Sequence, residues 1–229
     1  MARGLNRHQG ANSFSTSSLR RLLLGATCLA STVIAVAQPS FAPIPPGVKS
    51  YNLDGFSVTA PNGPDWYVLQ SASRAITFLK KLPPDALDQP PMAATRRTPR
   101  TFFVQIGVLD VGTANSSTDE ALSNMMKRES ETQTSPGLDL KQFQSYPRSV
   151  RGWACLGYDA VYEGYHIKLQ VPVVMLNHGY VCRYPYKEGF VISALRSERS
   201  QRGANAAPDS PYILEADASL NSILLYQLH

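Results

Sequence analysis

Apolar and polar residues alternate most clearly in the last third of the chain. Between Tyr165 and Val171 they alternate with a period of two, which is typical of a strand with one face toward solvent. Leu156–Tyr162 before it is rich in aromatic and small apolar residues, and the apolar segments Val173–Leu176, Tyr180–Tyr184 and Phe190–Leu195 follow it, with short Gly-containing polar segments at the breaks. The pattern predicts an antiparallel meander of four strands. Its turns are predicted at 163–164, 177–179 and 187–189.

The remaining elements follow from the same periodicities. Thr101–Val111 is apolar on both faces and is therefore predicted to be a central strand. A capping box from Ser117 to Glu120 predicts the start of a helix that ends before Pro136. Ser210-Pro211 predicts the start of a second helix, whose apolar positions recur as far as Leu224. Further strands are predicted over Gly55–Ala60, Trp66–Leu69, Arg74–Leu79 and Leu138–Tyr146, with Trp66 in the core.

The N-terminus reads as an export signal. Arg20-Arg21 precedes an apolar run from Leu22 to Ala37 that ends in a small-residue cleavage pattern. We therefore expect a signal peptide over 1–37, a flexible proline-rich lead-in over 38–50 and a single domain over 51–229. The apolar run is shorter than the ~20 residues of a membrane-spanning helix, although an uncleaved anchor is the alternative. The sequence predicts a periplasmic or secreted protein without a stable membrane span after processing.

The net charge of +5 does not point to nucleic acid. Residues 1–37 contain four arginines and no acidic residue, so the other 18 basic residues nearly balance the 17 acidic ones. A basic surface that could bind a polyanion is therefore not predicted for the mature chain.

Two cysteines, Cys155 and Cys182, remain after the N-terminal segment. In an exported chain an even number of cysteines favours a disulfide, and two buried free thiols are the alternative. A metal site is not expected, because two isolated thiols lack the four ligands of a closed tetrahedral site. No cofactor is expected either.

The sequence contains none of the usual catalytic motifs, such as GxSxG, HExxH or a phosphate-binding glycine loop. His166 lies on the polar face of its predicted strand, and His178 lies in a predicted turn. A catalytic site that uses His178 stays possible in principle, but no activated Ser or Cys accompanies it. Asp159 and Glu163 resemble an exposed strand edge more than a pair of acid–base carboxylates.

A polar cluster on the last strands is the best candidate for binding. Arg183, Tyr184, Tyr186 and Arg196, with Lys187, offer guanidinium and aromatic groups that suit a carboxylate, a phosphate or a protein surface. The alternative is that Arg196 forms a surface ion pair with Glu198 or Glu188. Three arginines between Leu82 and Arg100 extend the cluster if that proline-rich loop contacts the same partner. The expected partner is an envelope protein or a small anionic ligand.

The order of these motifs resembles the PsbP-like family of exported proteins. The resemblance rests on Gly55-Phe56-Ser57-Val58 with Pro61 and Trp66, on Gly179-Tyr180-Val181-Cys182-Arg183-Tyr184-Pro185, and on a strand ending in Arg196 before a closing helix. It implies an α+β fold in which helices cover an antiparallel sheet, as an α/β/α sandwich, and no catalytic residue. The predicted function is an exported, non-catalytic binding or accessory protein of the cell envelope. The alternative is a secreted hydrolase of unrecognised type.

Overall fold

The computed structural model describes residues 41–82, 100–132, 137–165, 171–201 and 211–229. In this part of the chain, most residues belong to strands. The strands are β1 Ala42–Pro43, β2 Ser50–Leu53, β3 Phe56–Thr59, β4 Trp66–Ala72, β5 Ala75–Lys80, β6 Thr101–Asp110, β7 Leu138–Val150, β8 Trp153–Tyr165, β9 Pro172–Arg183, β10 Phe190–Gln201 and β11 Leu224–Leu225. The helices are α1 Thr113–Ser116, α2 Asp119–Thr132 and α3 Pro211–Asn221.

The strands form two sheets whose neighbours are all antiparallel. The large sheet has eight strands in the order β1-β4-β5-β6-β10-β9-β8-β7, and the small sheet has three in the order β11-β3-β2. Strand β6 lies inside the large sheet between β5 and β10, so the prediction of a central strand is confirmed. Its apolar residues on both faces are consistent with that position.

The predicted α/β/α sandwich is wrong. The antiparallel sheet is present, but helices do not form a full layer on each face. The main core lies between one face of the large sheet and a layer made of the small sheet together with α3. The reason lies in two short segments: residues near Phe56 and at Leu224–Leu225 pair with each other as strands, and this small sheet occupies the place that the resemblance assigned to helices.

The two faces of the large sheet have different covers. On the first, called here the α3 face, side chains such as Phe102, Ile106 and Ile192 are fully buried in the main core. On the second, the α2 face, Leu122 and Met126 of α2 pack in a separate cluster against residues of β8, β9 and β10. Trp66 is also buried in the main core, as the sequence predicts.

The predicted turn at 177–179 is wrong, because β9 runs without interruption from Pro172 to Arg183. Asn177-His178-Gly179 has the composition of a turn, but Gly179 serves a different purpose here. A Cβ atom at this position would come within 2.6 Å of the Ala194 carbonyl oxygen on β10, so the glycine permits close approach of the neighbouring strand. The predicted turn at 163–164 is also wrong, since both residues belong to β8. The turn at 187–189 is confirmed.

Both predicted helices exist with altered ends. The Thr118 hydroxyl, and not that of Ser117, accepts the hydrogen bond from the Ala121 amide at the start of α2. Helix α3 ends at Asn221, three residues before Leu224, because the chain then turns to pair β11 with β3. The difference at Leu224 is a case of strand pairing overriding helical periodicity.

The predicted signal peptide lies outside the described residues, and so do positions 38–40 of the predicted lead-in. Within the rest of the lead-in, Ala42–Pro43 pairs with β4 at the edge of the large sheet. None of the helices in the described part of the chain combines the length and apolar character needed to cross a bilayer.

Candidate functional site

A disulfide joins β8 to β9. Cys155 and Cys182 lie directly opposite each other in the strand register, with a Cα–Cα distance of 4.1 Å and an S–S bond of 2.04 Å. Both residues are buried in the main core on the α3 face. The predicted disulfide is therefore confirmed, and it fixes the register of the two strands at one end.

The four residues predicted to form one binding surface lie on different sides of the sheet. Arg183 is opposite Val191 on β10, and Arg196 lies five residues farther along that strand. Five residues correspond to about 17 Å and to opposite faces, because side chains alternate along a strand. Arg183 therefore faces the α2 side and Arg196 the α3 side. Their role in binding stays a prediction, but they do not form one surface.

The Arg183 side chain, at the end of β9, forms hydrogen bonds to residues at and just before the start of α2. Its Nε donates to the Ser116 carbonyl at 2.6 Å, and its Nη2 contacts an Asp119 carboxylate oxygen at 2.7 Å. The guanidinium also lines a cleft of about 270 Å³ whose other cation is Lys187. The Lys187 ammonium lies 4.4 Å above the Phe190 ring. Because Asp119 already neutralises Arg183, this cleft is a poor site for an anion.

Tyr184 and Tyr186 face the C-terminal segment. The Tyr184 side chain is buried, and its hydroxyl lies 2.8 Å from the Gly55 carbonyl oxygen and also contacts the Tyr226 carbonyl. Tyr186 is largely exposed and packs edge-on against Tyr184, with 5.9 Å between ring centroids. Tyr184 therefore ties the large sheet to β3 and to the residues after β11, which is a structural role.

Replacing Tyr184 with phenylalanine is expected to lower the free energy of unfolding by about 1 kcal/mol near pH 8, because a buried hydrogen bond is lost. Burial, and then the nearby Asp54 carboxylate, raises the pKa of Tyr184 to about 12. A tyrosine with a raised native pKa contributes stability that is present below pH 10 and is lost as the pH rises toward 12. The difference between wild type and Y184F, measured by urea unfolding, should therefore shrink between pH 8 and pH 11.5. An unchanged difference would contradict this role.

Arg196 is held by α3. Its Nε donates to an Asp217 carboxylate oxygen at 2.9 Å, and the pair is partly buried. The predicted alternative partner Glu198 is instead paired with Arg100, the described end of the proline-rich loop. The other two loop arginines, Arg96 and Arg97, lie outside the described residues, as does His166.

The alternation along β8 and β9 brings His178 and Asp159 together. The two residues are opposite each other in the register, four positions from the disulfide, on the α3 face. His178 Nδ1 lies 2.6 Å from Asp159 Oδ1. The Asp159 side chain is 48% exposed and that of His178 is 29% exposed, so the pair is open to solvent. The prediction that Asp159 lies on a sheet edge is wrong, because β8 lies between β7 and β9.

Arg148 on the edge strand β7 completes the contacts of His178. Its Nη1 lies 3.4 Å from His178 Nε2, and its guanidinium carbon lies 4.9 Å from the centroid of the buried Tyr180 ring. Among the described residues Arg148 contacts no carboxylate. Stacking on Tyr180 holds the guanidinium in place, since cation–π contact restricts its orientation.

Tyr146 borders the same group. Its ring packs on Gly157, where a Cβ atom would collide with it, and Gly157 lies one row from Asp159 on the same face. Burial raises the pKa of Tyr146, and the Asp159 carboxylate raises it further. Tyr146 is therefore a neutral hydroxyl at physiological pH. Together, Tyr146, Arg148, Asp159, His178 and Arg196 form what we call the His178 patch.

His178 contacts a carboxylate through one ring nitrogen and a guanidinium through the other. An Asp–His pair is also the base and its orienting group in hydrolases, but such a base must accept a proton from a nucleophile. In the described part of the chain, the second nitrogen of His178 faces a guanidinium, and no hydroxyl or thiol contacts it. Within the same residues no group of three side chains is placed to ligate a metal ion.

Sequence analysis missed Asp159, Arg148 and Tyr146 as members of one site. The signal was present: if Cys155 and Cys182 are paired across two antiparallel strands, a step of four residues along each strand places Asp159 opposite His178. That step requires β9 to continue through 177–179. The turn-like composition there concealed it.

Comparison with known proteins does not identify a family. No protein-family model matches the sequence, so the resemblance to the PsbP-like family is not confirmed. No curated protein matches it either. The chain is similar to a crystal structure of LpqN, described as involved in cell envelope biogenesis of Mycobacterium tuberculosis. The identity is 13% and the TM-score 0.41, over 80% of this chain and 89% of LpqN. A similarity this distant carries no functional information.

Proposed function

We propose that this protein acts outside the cytoplasm as a non-catalytic binding protein, an accessory of the cell envelope, and that the His178 patch is its recognition surface. The proposal rests on the contacts of the Arg148 guanidinium. A guanidinium that stacks on a buried ring and contacts no carboxylate within the described residues leaves donors available for a partner.

The disulfide supports the location. Disulfides are common in exported proteins and rare in a cytosol that keeps thiols reduced, so the buried bond between Cys155 and Cys182 supports a location outside the cytoplasm. The patch lies on the same two strands, four residues from this bond. Folding in an oxidising compartment and formation of the recognition surface are therefore linked.

The proposal predicts that Arg148→Gln weakens partner binding at least ten-fold. The immobilised wild-type protein is used to capture partners from an envelope extract, and the affinity of each captured partner is then measured after purification. Arg128→Gln is the matched control, because Arg128 is an exposed arginine on α2, which packs on the opposite face of the sheet from the patch. Equal affinity of wild type and R148Q for every captured partner would exclude the patch as the recognition surface.

A secreted hydrolase is the second candidate, and the 2.6 Å contact between His178 and Asp159 is the observation that favours it. It requires a nucleophile supplied from outside the described residues or by a conformational change that moves Arg148 away from His178. His178→Ala would abolish such an activity. Turnover of any ester, peptide or glycoside that H178A loses would support this candidate over a binding protein.

A further inference from the structure

His178 and Arg148 contact each other, and the His178 ring changes its hydrogen-bonding role with pH whereas the Arg148 guanidinium does not. The Nδ1 contact with Asp159 places the proton of the neutral ring on Nδ1, so Nε2 accepts from Arg148 Nη1 at 3.4 Å. When the ring is protonated, Nε2 also becomes a donor. Two cationic donors then face each other with no acceptor between them.

An acceptor with two oxygens resolves this conflict. A carboxylate can accept from Arg148 with one oxygen and from His178 with the other, as carboxylates do with paired N–H donors. Asp159 cannot take this place, because it is engaged on the opposite edge of the imidazole ring at Nδ1. The second acceptor therefore has to come from a ligand.

The charges around His178 select a ligand with one negative charge. Asp159 on β8 and Arg148 on β7 contact His178, and Arg196 on β10 lies opposite it in register. Asp217 on α3 pairs with Arg196, and Tyr146 on β7 lies beside Asp159. With His178 protonated, three cations face two carboxylates, and Tyr146 is neutral. One further negative charge balances the patch, whereas a phosphate dianion would leave an excess of negative charge beside Asp159 and Asp217.

We propose that the His178 patch binds a carboxylate group, which bridges Arg148 and His178 and whose binding is coupled to uptake of one proton by His178. This inference rests on the proposed function, because it names the ligand chemistry of that surface. The carboxylate belongs either to a small organic acid or to an acidic side chain of a partner protein. Both sources present the same group to the patch.

The test is a titration of the purified full-length protein with sodium acetate at constant ionic strength, followed by NMR signals of the His178 ring and the Arg148 side chain. We expect saturable shifts at pH 5.5 and at least ten-fold weaker binding at pH 8. Arg148→Gln should weaken binding at least ten-fold at pH 5.5, and Arg128→Gln should leave it unchanged. His178→Gln should retain weak binding through Arg148 and lose its dependence on pH.

Two further probes identify the ligand class and its source. At pH 8, where inorganic phosphate is mainly a dianion, phosphate should bind more weakly than acetate does at the same pH. A short peptide with blocked ends and a single glutamate should bind more tightly than acetate if the source is a protein side chain, and equally if it is a free acid. The same peptide with glutamine should not bind in either case.

The proposal is overturned if acetate shifts do not saturate, if R148Q binds acetate as wild type does, if affinity is equal at the two pH values, or if phosphate binds more tightly than acetate. In each case, the partner-binding experiment with R148Q shows whether the proposed function fails as well. Partner binding that still depends on Arg148 would leave the recognition surface intact and overturn only its carboxylate chemistry. Partner binding that is independent of Arg148 would overturn the proposed function as well.

Discussion

Replacing Cys155 and Cys182 together with alanine is expected to lower the free energy of unfolding by about 3.5 kcal/mol. The bond closes a loop whose ends are 27 residues apart, and most of the effect comes from the larger conformational freedom of the unfolded chain without it. Both sulfurs are buried in the main core, so their loss also removes packing contacts. Guanidinium unfolding of wild type and the double variant measures the difference.

Reduction supplies the control for this experiment. A reducing agent should destabilise the wild type by a similar amount and leave the double variant unchanged, because the variant has no bond to reduce. The variant should also bind acetate more weakly than wild type, since the disulfide holds β8 and β9 in register four residues from Asp159 and His178. A loss of less than about 1 kcal/mol would show that the bond adds little to native stability.

Glu215→Ala is expected to lower the free energy of unfolding by about 3 kcal/mol. One Glu215 oxygen accepts from Trp66 Nε1 at 2.7 Å and from the Lys80 ammonium at 2.8 Å, and Lys80 is only 9% exposed. Removing the carboxylate leaves a buried ammonium with the Pro64 carbonyl as its hydrogen-bond acceptor and the Trp66 ring beside it. A buried charge that loses its partner is costly, which is the reason for the large effect.

An exposed ion pair elsewhere in the sheet provides the matched control. Asp139 and Lys141 are 3.2 Å apart with side chains 79% and 49% exposed, so Asp139→Ala should change the free energy of unfolding by less than about 0.5 kcal/mol. Urea unfolding of both variants compares loss of a buried partner with loss of an exposed one. Similar effects of E215A and D139A would contradict the assignment of a buried anchor between α3 and β4–β5.

Strand prediction succeeded at the centre of the large sheet, whereas the alternation over 165–171 lies mostly outside the described residues. The two apolar faces of Thr101–Val111 predicted a central strand, and β6 occupies that position. Prediction failed where one local cue had two physical causes. A glycine after Asn and His is typical of a turn, yet in β9 the same glycine lets two strands approach closely. Composition alone does not distinguish these causes, because the second depends on the neighbouring strand.

The candidate binding residues show the same limit. Arginine and tyrosine near one another in sequence suggested one surface, but each has a separate structural partner: Arg183 binds Asp119, Tyr184 binds the Gly55 carbonyl and Arg196 binds Asp217. Those partners come from distant parts of the chain. Arg148, which contacts no carboxylate in the described residues, has no distinguishing feature in the sequence.

The amino-acid sequence by itself determined the position of most strands and of the two longer helices, since hydrophobic periodicity is a local property of the chain. The sequence also favoured the pairing of Cys155 with Cys182, because two thiols remained after the predicted signal peptide in an exported chain, but the strand register established it. Tertiary structure alone decided that a small sheet replaces a layer of helices, and that Asp159, His178 and Arg148 meet. Both outcomes depend on strand register and on which face each residue occupies, and these are set by contacts between segments far apart in the chain.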